Sequence, residues 1–389
     1  MTRDSFSAFN QVALLATGDE ICNGDILNSN SQEIAHRLFS HGIHIGTHIT
    51  APDNLTEIKA AILFLLQKHQ ALIIIGGLGP TSDDLTRQAL SKALQRPLIF
   101  DETAWQAIVA RLQRLGFHPP PESNKQQALF PEGSTLIPNP NGTAAGCQIK
   151  QTFTSADKHS DQFIFMLPGP PAECLPMFDA AVLPTLKSNH FQEILYYEKW
   201  MLLGISEAQI AEELDALIRP FDCVTGYRFC YPYIEFKIYS NNQADFSTFL
   251  PLIEKAIAPY IIGNGKLMAS NLLKKTISTL NTTLEIVDSA TGGLLESILK
   301  TPDTNSCLYF SSHLELHTDL QVKISGLAEF WKKEKISHTL LDISIQTHNQ
   351  KQAHQISIPY RNDQVKYYAV EVICRQIYVF LAASSLNLK

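Results

Sequence analysis

Apolar residues recur along the first half of this chain in two alternating rhythms. Short β-branched or leucine-rich runs, each long enough for one strand, stand at Val12–Ala16, Ile43–Ile49 and Leu72–Ile75. Between and after them the apolar positions return every three or four residues, the spacing of a helix face, over Ser31–Ser40, Leu55–Gln67 and Glu102–Leu115. Strand and helix in alternation predict a parallel sheet covered by helices on both sides. Phe163–Leu167 reads as a further strand, and Ala172–Leu186 as the helix that closes this domain.

After Ser188 the pattern changes. A helix is expected at Ser206–Ile218, an alternating strand at Tyr233–Tyr239 and a second helix near Ser247–Ile257. Pro259–Lys266 reads as a linker. A last region offers a helix at Leu267–Leu280, strands at Leu284–Val287 and Leu340–Ile345, and a helix over Val365–Leu381. The expected organisation is thus an α/β chain in three parts. A three-layer parallel-sheet domain covers residues 1–187, a small α+β module 188–262, and a shortened α/β domain 267–389.

Composition changes this picture little. With 389 residues, two or three domains are expected, and 45% apolar residues suit a globular protein. A net charge of −7 argues against a nucleic-acid partner held by a basic surface. Seven cysteines without a C-x-x-C pair suggest neither a disulfide framework nor a zinc site. No apolar run reaches the length of a membrane span, and the amino terminus lacks a signal peptide, so a cytoplasmic location is expected. Of thirteen histidines, His313 and His317 are four apart, but no carboxylate motif accompanies them. The aromatic residues Tyr227, Phe229, Tyr231, Tyr233 and Phe236 suggest packing in a core or a homodimer. The uncharged helix face at Leu214 and Leu217 adds to the expectation of a homodimer.

Chemistry concentrates at ALIIIGGLGPTSDDLT, residues 71–86. Here Gly76, Gly77 and Gly79 let a buried strand turn with its backbone N–H groups uncovered. Thr81 and its neighbours read as a helix start carrying Asp83 and Asp84 in the first turn. A strand, a glycine turn and a helix start make an anion site, yet two carboxylates would repel a phosphate unless a divalent cation lay between them. The alternative is that both aspartates merely favour the helix dipole. Ligands of parallel sheets sit at the carboxyl ends of the strands, which also places Asp19 and Glu20 there. Asn28 and Asn30 follow at the start of the next helix. Lys125 is a cationic candidate for phosphate, Gly142 and Thr143 an exposed turn, and Glu173 a helix-dipole partner.

Four segments, TGDEICNGDILNSNS, GGLGPTSDDLT, NKQQALFPEGSTLIPNPNGTAAG and LPGPPAECLPMF, together resemble the CinA (competence/damage-inducible protein A) family in order and spacing. The resemblance spans roughly the whole chain. It implies an N-terminal domain like the molybdopterin-binding MoaB and MogA proteins, used in this family as a metal-dependent ADP-ribose pyrophosphatase. Asp83 and Asp84 would then hold Mg²⁺, Mn²⁺ or Co²⁺, with Asp19 or Glu20 completing the shell or positioning water. Asn28, Asn30, Gly76, Gly77, Gly79, Thr81, Lys125, Gly142 and Thr143 would meet the nucleotide. Ile75 departs from the Thr or Ser usual before GGLGP. A pterin or nucleotide held without turnover is the alternative, and a scaffold with no active site a third.

The family's C-terminal domain is often a nicotinamide-mononucleotide deamidase with a nucleophilic serine in E-S-C-T-G-G. This chain reads Asp288-Ser289-Ala290-Thr291-Gly292-Gly293, retaining Ser289, Thr291, Gly292 and Gly293. The Tyr-Ser-Asn-x-x-Lys segment that should activate the serine has no counterpart after CLYF at 307–310. Ser289 on its own reads as a helix N-cap. The domain is expected to fold without deamidating.

Overall fold

The computed structural model describes residues 12–155, 158–192, 194–279, 283–313, 318–333, 337–359 and 363–383, with backbone alone at 153–155 and 158–160. They divide into two compact units at Ile194/Leu195.

In the first unit, β1 (Val12–Thr17) leads through a helical turn α1 (Asp19–Cys22) into α2 (Ser29–Ser40) and β2 (Ile45–Ala51). Then come α3 (Leu55–Lys68), β3 (Ala71–Ile75) and α4 (Thr86–Leu94), followed by β4 (Leu98–Phe100), α5 (Glu102–Arg114) and β5 (Leu129–Pro131). The strands β6 (Thr135–Ile137), β7 (Gly146–Ser155) and β8 (Lys158–Leu167) precede α6 (Pro171–Met177), which runs through a π-turn into α7 (Leu183–Ser188). Six strands form the main sheet in the order β2-β1-β3-β8-β7-β6.

This is a mixed α/β fold in which the parallel pairings dominate. β2, β1, β3 and β8 run parallel, whereas β7 and β6 are antiparallel. The parallel sheet expected from the sequence is present, and an antiparallel hairpin extends it at the β7–β6 end. The hairpin there is built of QIKQTFTSADKHSDQ, whose polar residues give no buried-strand signal. β1 and β3 are buried along their whole length because both sheet faces are covered. Ala13, Leu15, Leu72 and Ile74 pack under Ile58, Ile62 and Ile108 of α3 and α5. Val12, Leu14, Ile73 and Ile75 face Ile34, Leu38, Met177 and Phe178 on the other side.

The second unit carries two sheets. The smaller comprises β9 (Tyr196–Leu203), β10 (Val224–Cys230) and β11 (Tyr233–Ser240), with α8 (Glu207–Ile218) and α9 (Gln243–Ile257). β9 is a strand that the sequence pattern did not reveal. Ser206 and Gln209 form a capping box at the start of α8. Leu214 is fully buried against Phe236 and Phe249, and Leu217 packs at the same core, so that face is occupied within the chain. Tyr233 and Phe236 are buried too; among the aromatic residues Phe229 stays exposed.

Beyond α10 (Ala269–Ile277), the strands β12 (Leu284–Asp288), β13 (Leu308–Phe310), β14 (Leu320–Gly326), β15 (His338–Thr347) and β16 (Lys351–Pro359) make the second sheet. Its order is β13-β12-β14-β15-β16. The short α11 (Leu294–Leu299) and α12 (Ala328–Trp331) and the long α13 (Val365–Ala383) complete the unit. The Tyr233 hydroxyl donates to Glu371 of α13 at 2.7 Å and accepts from Ala269 N at 2.8 Å, tying the two sheets together. His317 and Leu280 lie outside the described residues. None of the described helices is long and apolar enough to cross a membrane.

Candidate functional site

The carboxyl ends of β1, β2, β3 and β8 open onto a cleft of about 570 Å³. This is where a parallel sheet leaves its strand ends uncovered. Four loops line it: Gly18–Asn30 after β1, Asp53 after β2, Gly76–Asp84 after β3, and Pro168–Glu173 after β8. Gln127, Thr143 and Ala144 close the remaining side.

The Gly76–Asp84 loop differs from expectation in one respect. Asp83 and Asp84 do not stand in the first turn of a helix, because α4 begins only at Thr86 and Leu85 precedes it without a side-chain cap. Asp84 instead holds the loop. One oxygen accepts from Gly79 N at 2.7 Å; the other accepts from Thr81 N at 2.9 Å and from the Thr81 hydroxyl. Short-range bonds from an aspartate to the backbone favour a turn over a helix at this point. Asp83 is left projecting at the cleft.

The loop's carbonyls are pinned from behind. Leu78 O accepts from the Arg87 guanidinium and from Gln127 at 3.2 Å. Gly79 O accepts from Arg87 at 3.4 Å, and Thr81 O from Gln126 at 2.9 Å. Gly76 N is bonded to Leu167 O, which leaves the N–H groups of Gly77 and Leu78 without an acceptor among the described residues. Gly77 has φ +63°, and a Cβ there would collide with the Thr86 hydroxyl, so no other residue fits. Gly77 and Leu78 are thus the residues of this loop whose N–H groups stay uncommitted, whereas Gly76 and Gly79 give theirs to the fold.

Charge in the cleft is one-sided. Glu20, Asp53, Asp83, Asp84 and Glu173 line it, and no lysine or arginine does among the described residues. Asp19 and Asp53 exchange backbone-to-carboxylate hydrogen bonds of 3.1 and 3.0 Å, clamping the β1 and β2 loops. Burial, with repulsion from Asp19, Glu20 and Asp83, raises the Asp53 carboxyl above its ordinary pKa, against the opposing bond from Asp19 N–H. Behind the loop, Arg87 is 3% exposed and burial lowers its pKa to about 10. Its Nε has no hydrogen-bond partner among the described residues.

Of the expected residues, Glu20, Asn28, Asn30, Gly76, Gly77, Gly79, Asp83, Asp84 and Thr143 meet at this cleft. Asp19, Thr81 and Gly142 stand behind it as supports. Asn28 caps α2 by accepting from Ser31 N at 3.2 Å. Asn30 donates to Gly169 O at 2.6 Å. Lys125 does not line the cleft: it pairs with Glu122 at 2.8 Å, half exposed.

Sequence reasoning missed Asp53, Arg87 and Gln127. Asp53 lies just past β2 and was findable from the strand-end rule. Arg87 reads as an ordinary helix surface charge, and its burial depends on tertiary packing. In the C-terminal unit Ser289 is not a helix N-cap. Its hydroxyl donates to Ile324 O at 3.0 Å, and Thr291 Oγ1 accepts from Leu295 N at 3.1 Å at the start of α11.

Comparison with known proteins identifies the lineage. Residues 13–188 match the family described as "Probable molybdopterin binding domain". A CinA-like protein of Citrifermentans bemidjiense is 32% identical over 306 residues, covering 77% of this chain and 70% of the relative. A CinA-like protein of Geobacter sulfurreducens is 29% identical over 334 residues, covering 84% and 78%. The crystal structure of the protein CinA from Thermoplasma acidophilum aligns with 46% of this chain and 99% of its own, at 27% identity and a TM-score of 0.40. The chain belongs to the CinA-like family, and its N-terminal domain is of the probable molybdopterin binding type.

Proposed function

We propose that the N-terminal cleft hydrolyses a nucleoside diphosphate-sugar, ADP-ribose in the first instance, to AMP and ribose 5-phosphate with a divalent metal ion. The observation that carries this reading is the pairing of free backbone donors at Gly77 and Leu78 with carboxylates and no cationic side chain. A diphosphate suits the donors but is repelled by the carboxylates unless a cation accompanies it.

The residues present fit such an ion in one particular way. No three His, Cys, Asp or Glu side chains among the described residues converge to cage a metal. Mg²⁺ typically takes one or two carboxylates, several waters and the substrate's phosphate oxygens, which needs no cage. Asp83 and Glu20 would hold it, because both oxygens of Asp84 are engaged in the loop. The ion would supply neutralisation of the phosphate charge. Gly77 and Leu78 would orient the diphosphate, and Asp53, which lines the same cleft, would position water.

The test is AMP release from ADP-ribose with Mg²⁺, Mn²⁺ or Co²⁺. Asp83→Ala should lower turnover at least 100-fold while leaving the thermal midpoint unchanged. No AMP with any of the three ions would sink the reading. The match to a molybdopterin-binding family supports a second reading, a pterin held without turnover. A pterin binder should be thermally stabilised by ligand in EDTA, whereas a diphosphate site should not. We further propose that the C-terminal unit does not deamidate nicotinamide mononucleotide. Ser289 hydrogen-bonds a backbone carbonyl and no base among the described residues.

A further inference from the structure

Glu173 lines the cleft from the first turn of α6, in a different element from the other carboxylates there. Its setting is built. Asn139 donates to Glu173 Oε2 at 2.6 Å and to Ala144 O at 2.9 Å. The Asn139 side-chain oxygen in turn accepts from Gly142 N at 2.8 Å and Asn141 N at 3.0 Å. Asn141 closes the ring by donating to Ala172 O at 2.7 Å. Gly142 is required for this: a Cβ would fall onto the Glu173 carboxylate. One carboxylate oxygen is therefore fixed, while Oε1 accepts nothing among the described residues.

A half-satisfied carboxylate held rigidly at a cleft wall is an acceptor waiting for donors from a ligand. The metal-side carboxylates Glu20 and Asp83 follow β1 and β3, Glu20 in the turn α1, whereas Glu173 follows β8 in the first turn of α6. Its fit is to hydroxyl groups, which donate to a carboxylate as the ribose diol does in dinucleotide sites. We infer that Glu173 is a specificity-determining residue that selects ligands carrying a free 2′,3′-diol on the ribose next to the diphosphate. The inference rests on the nucleotide reading above and names the part of the ligand that reading leaves open. It also gives the Asn139–Gly142 turn a role: aiming Glu173.

The test is equilibrium binding to the full chain in Mg²⁺, using ADP, 2′,3′-dideoxy-ADP and inorganic diphosphate as probes. Wild type should bind ADP at least tenfold more tightly than the dideoxy analogue, the scale of hydrogen bonds to a charged acceptor. Glu173→Gln should erase most of that preference and leave the affinity for inorganic diphosphate within twofold. The unchanged diphosphate affinity also shows that the variant is folded. A Glu173→Gln protein that keeps the preference overturns the inference and leaves the diphosphate site standing. So does a wild type with no preference. Failure of all three probes to bind wild type overturns the nucleotide reading, and this inference with it.

Discussion

Two turns in this protein look alike in sequence and are held in different ways. Each follows a buried parallel strand, β3 or β12, and each places consecutive glycines at positive φ: Gly76 and Gly77 at +104° and +63°, Gly292 and Gly293 at +65° and +85°. In the first, side chains grip the carbonyls, and the amides of Gly77 and Leu78 have no acceptor among the described residues. In the second, Asp288 accepts from the amides of Ala290 and Thr291 at 2.9 and 3.0 Å. The Trp331 indole donates to Ala290 O at 2.7 Å and lies against Gly292. The two turns differ in what surrounds their glycines: in the first Arg87 and Gln127 hold the carbonyls, in the second Asp288 takes the amides that precede them. Glycine content alone does not set that difference.

The largest break in the comparison should come from Gly77→Ala. The added methyl collides with the Thr86 hydroxyl at a φ that costs an L-residue about 1 kcal/mol or more. The donors would move off the phosphate, and such displacements cost on the order of 100-fold in rate. AMP release from ADP-ribose should fall by at least that factor. A matching Gly293→Ala change, where a Cβ meets nothing within 4 Å, should leave that rate untouched.

Arg87→Met comes next. The substitution keeps the apolar stem and leaves Leu78 O and Gly79 O without the guanidinium. Leu78 O keeps its bond from Gln127 and Gly79 O its 3.5 Å bond from Gln126, so what is lost is the charged donor, and the first unit should lose about 1.5–3 kcal/mol in denaturant unfolding. Inorganic diphosphate binding in Mg²⁺ should weaken about tenfold as the loop loosens. An Arg87→Met protein as stable as wild type would show that Gln127 alone pins the loop.

Acidification should also tell the units apart. Burial lowers the pKa values of His48 and His69 in the first unit. A histidine with a depressed folded pKa binds its proton more readily when unfolded. Stability is therefore unaffected above the unfolded value of about 6.5 and falls as pH drops through it. His69 accepts from or donates to Thr47 Oγ1 at 2.9 Å, a bond glutamine can reproduce. The thermal midpoint of the first unit should fall between pH 7 and pH 5.5, and His69→Gln should flatten part of that slope.

How much of this was legible in the chain depends on where the information resides. Val12–Thr17, Ala71–Ile75 and the helix faces announce themselves because local periodicity and burial coincide. The gathering of Glu20, Asp83 and Asp84 at one edge followed from the strand-end rule. Three things were not legible. β9 and the β7 hairpin arm mix polar and apolar residues without a clear period, and their pairing is set by partners far along the chain. The turn at 80–85 looked like a helix start because hydroxyl and acidic residues favour both, and Asp84's bonds to Gly79 and Thr81 decide between them. Arg87 and Lys125 exchanged roles. One is buried by tertiary packing that no short window contains, and the other is taken by Glu122 three residues away.

The smallest expected effect is at Ser289, and its smallness is what sharpens the contrast between the two turns. In a working nucleophile the serine hydroxyl would donate to a base and face an open oxyanion cradle. Here it donates to Ile324 O at 3.0 Å, across the β12–β14 junction where Ser289 N also bonds the same carbonyl. Ser289→Ala removes one of two bonds to that oxygen, which keeps its backbone partner. The loss should be about 0.5–1.5 kcal/mol in the unfolding of the second unit. It should leave AMP release from ADP-ribose unchanged. Nicotinamide mononucleotide should yield no ammonia with either protein, and none after Trp331→Ala uncovers Gly292, because removing a cover supplies no base. Ammonia release that depends on Ser289 would show that the second turn is a working site after all, and that a base outside its hydrogen-bonding reach moves in.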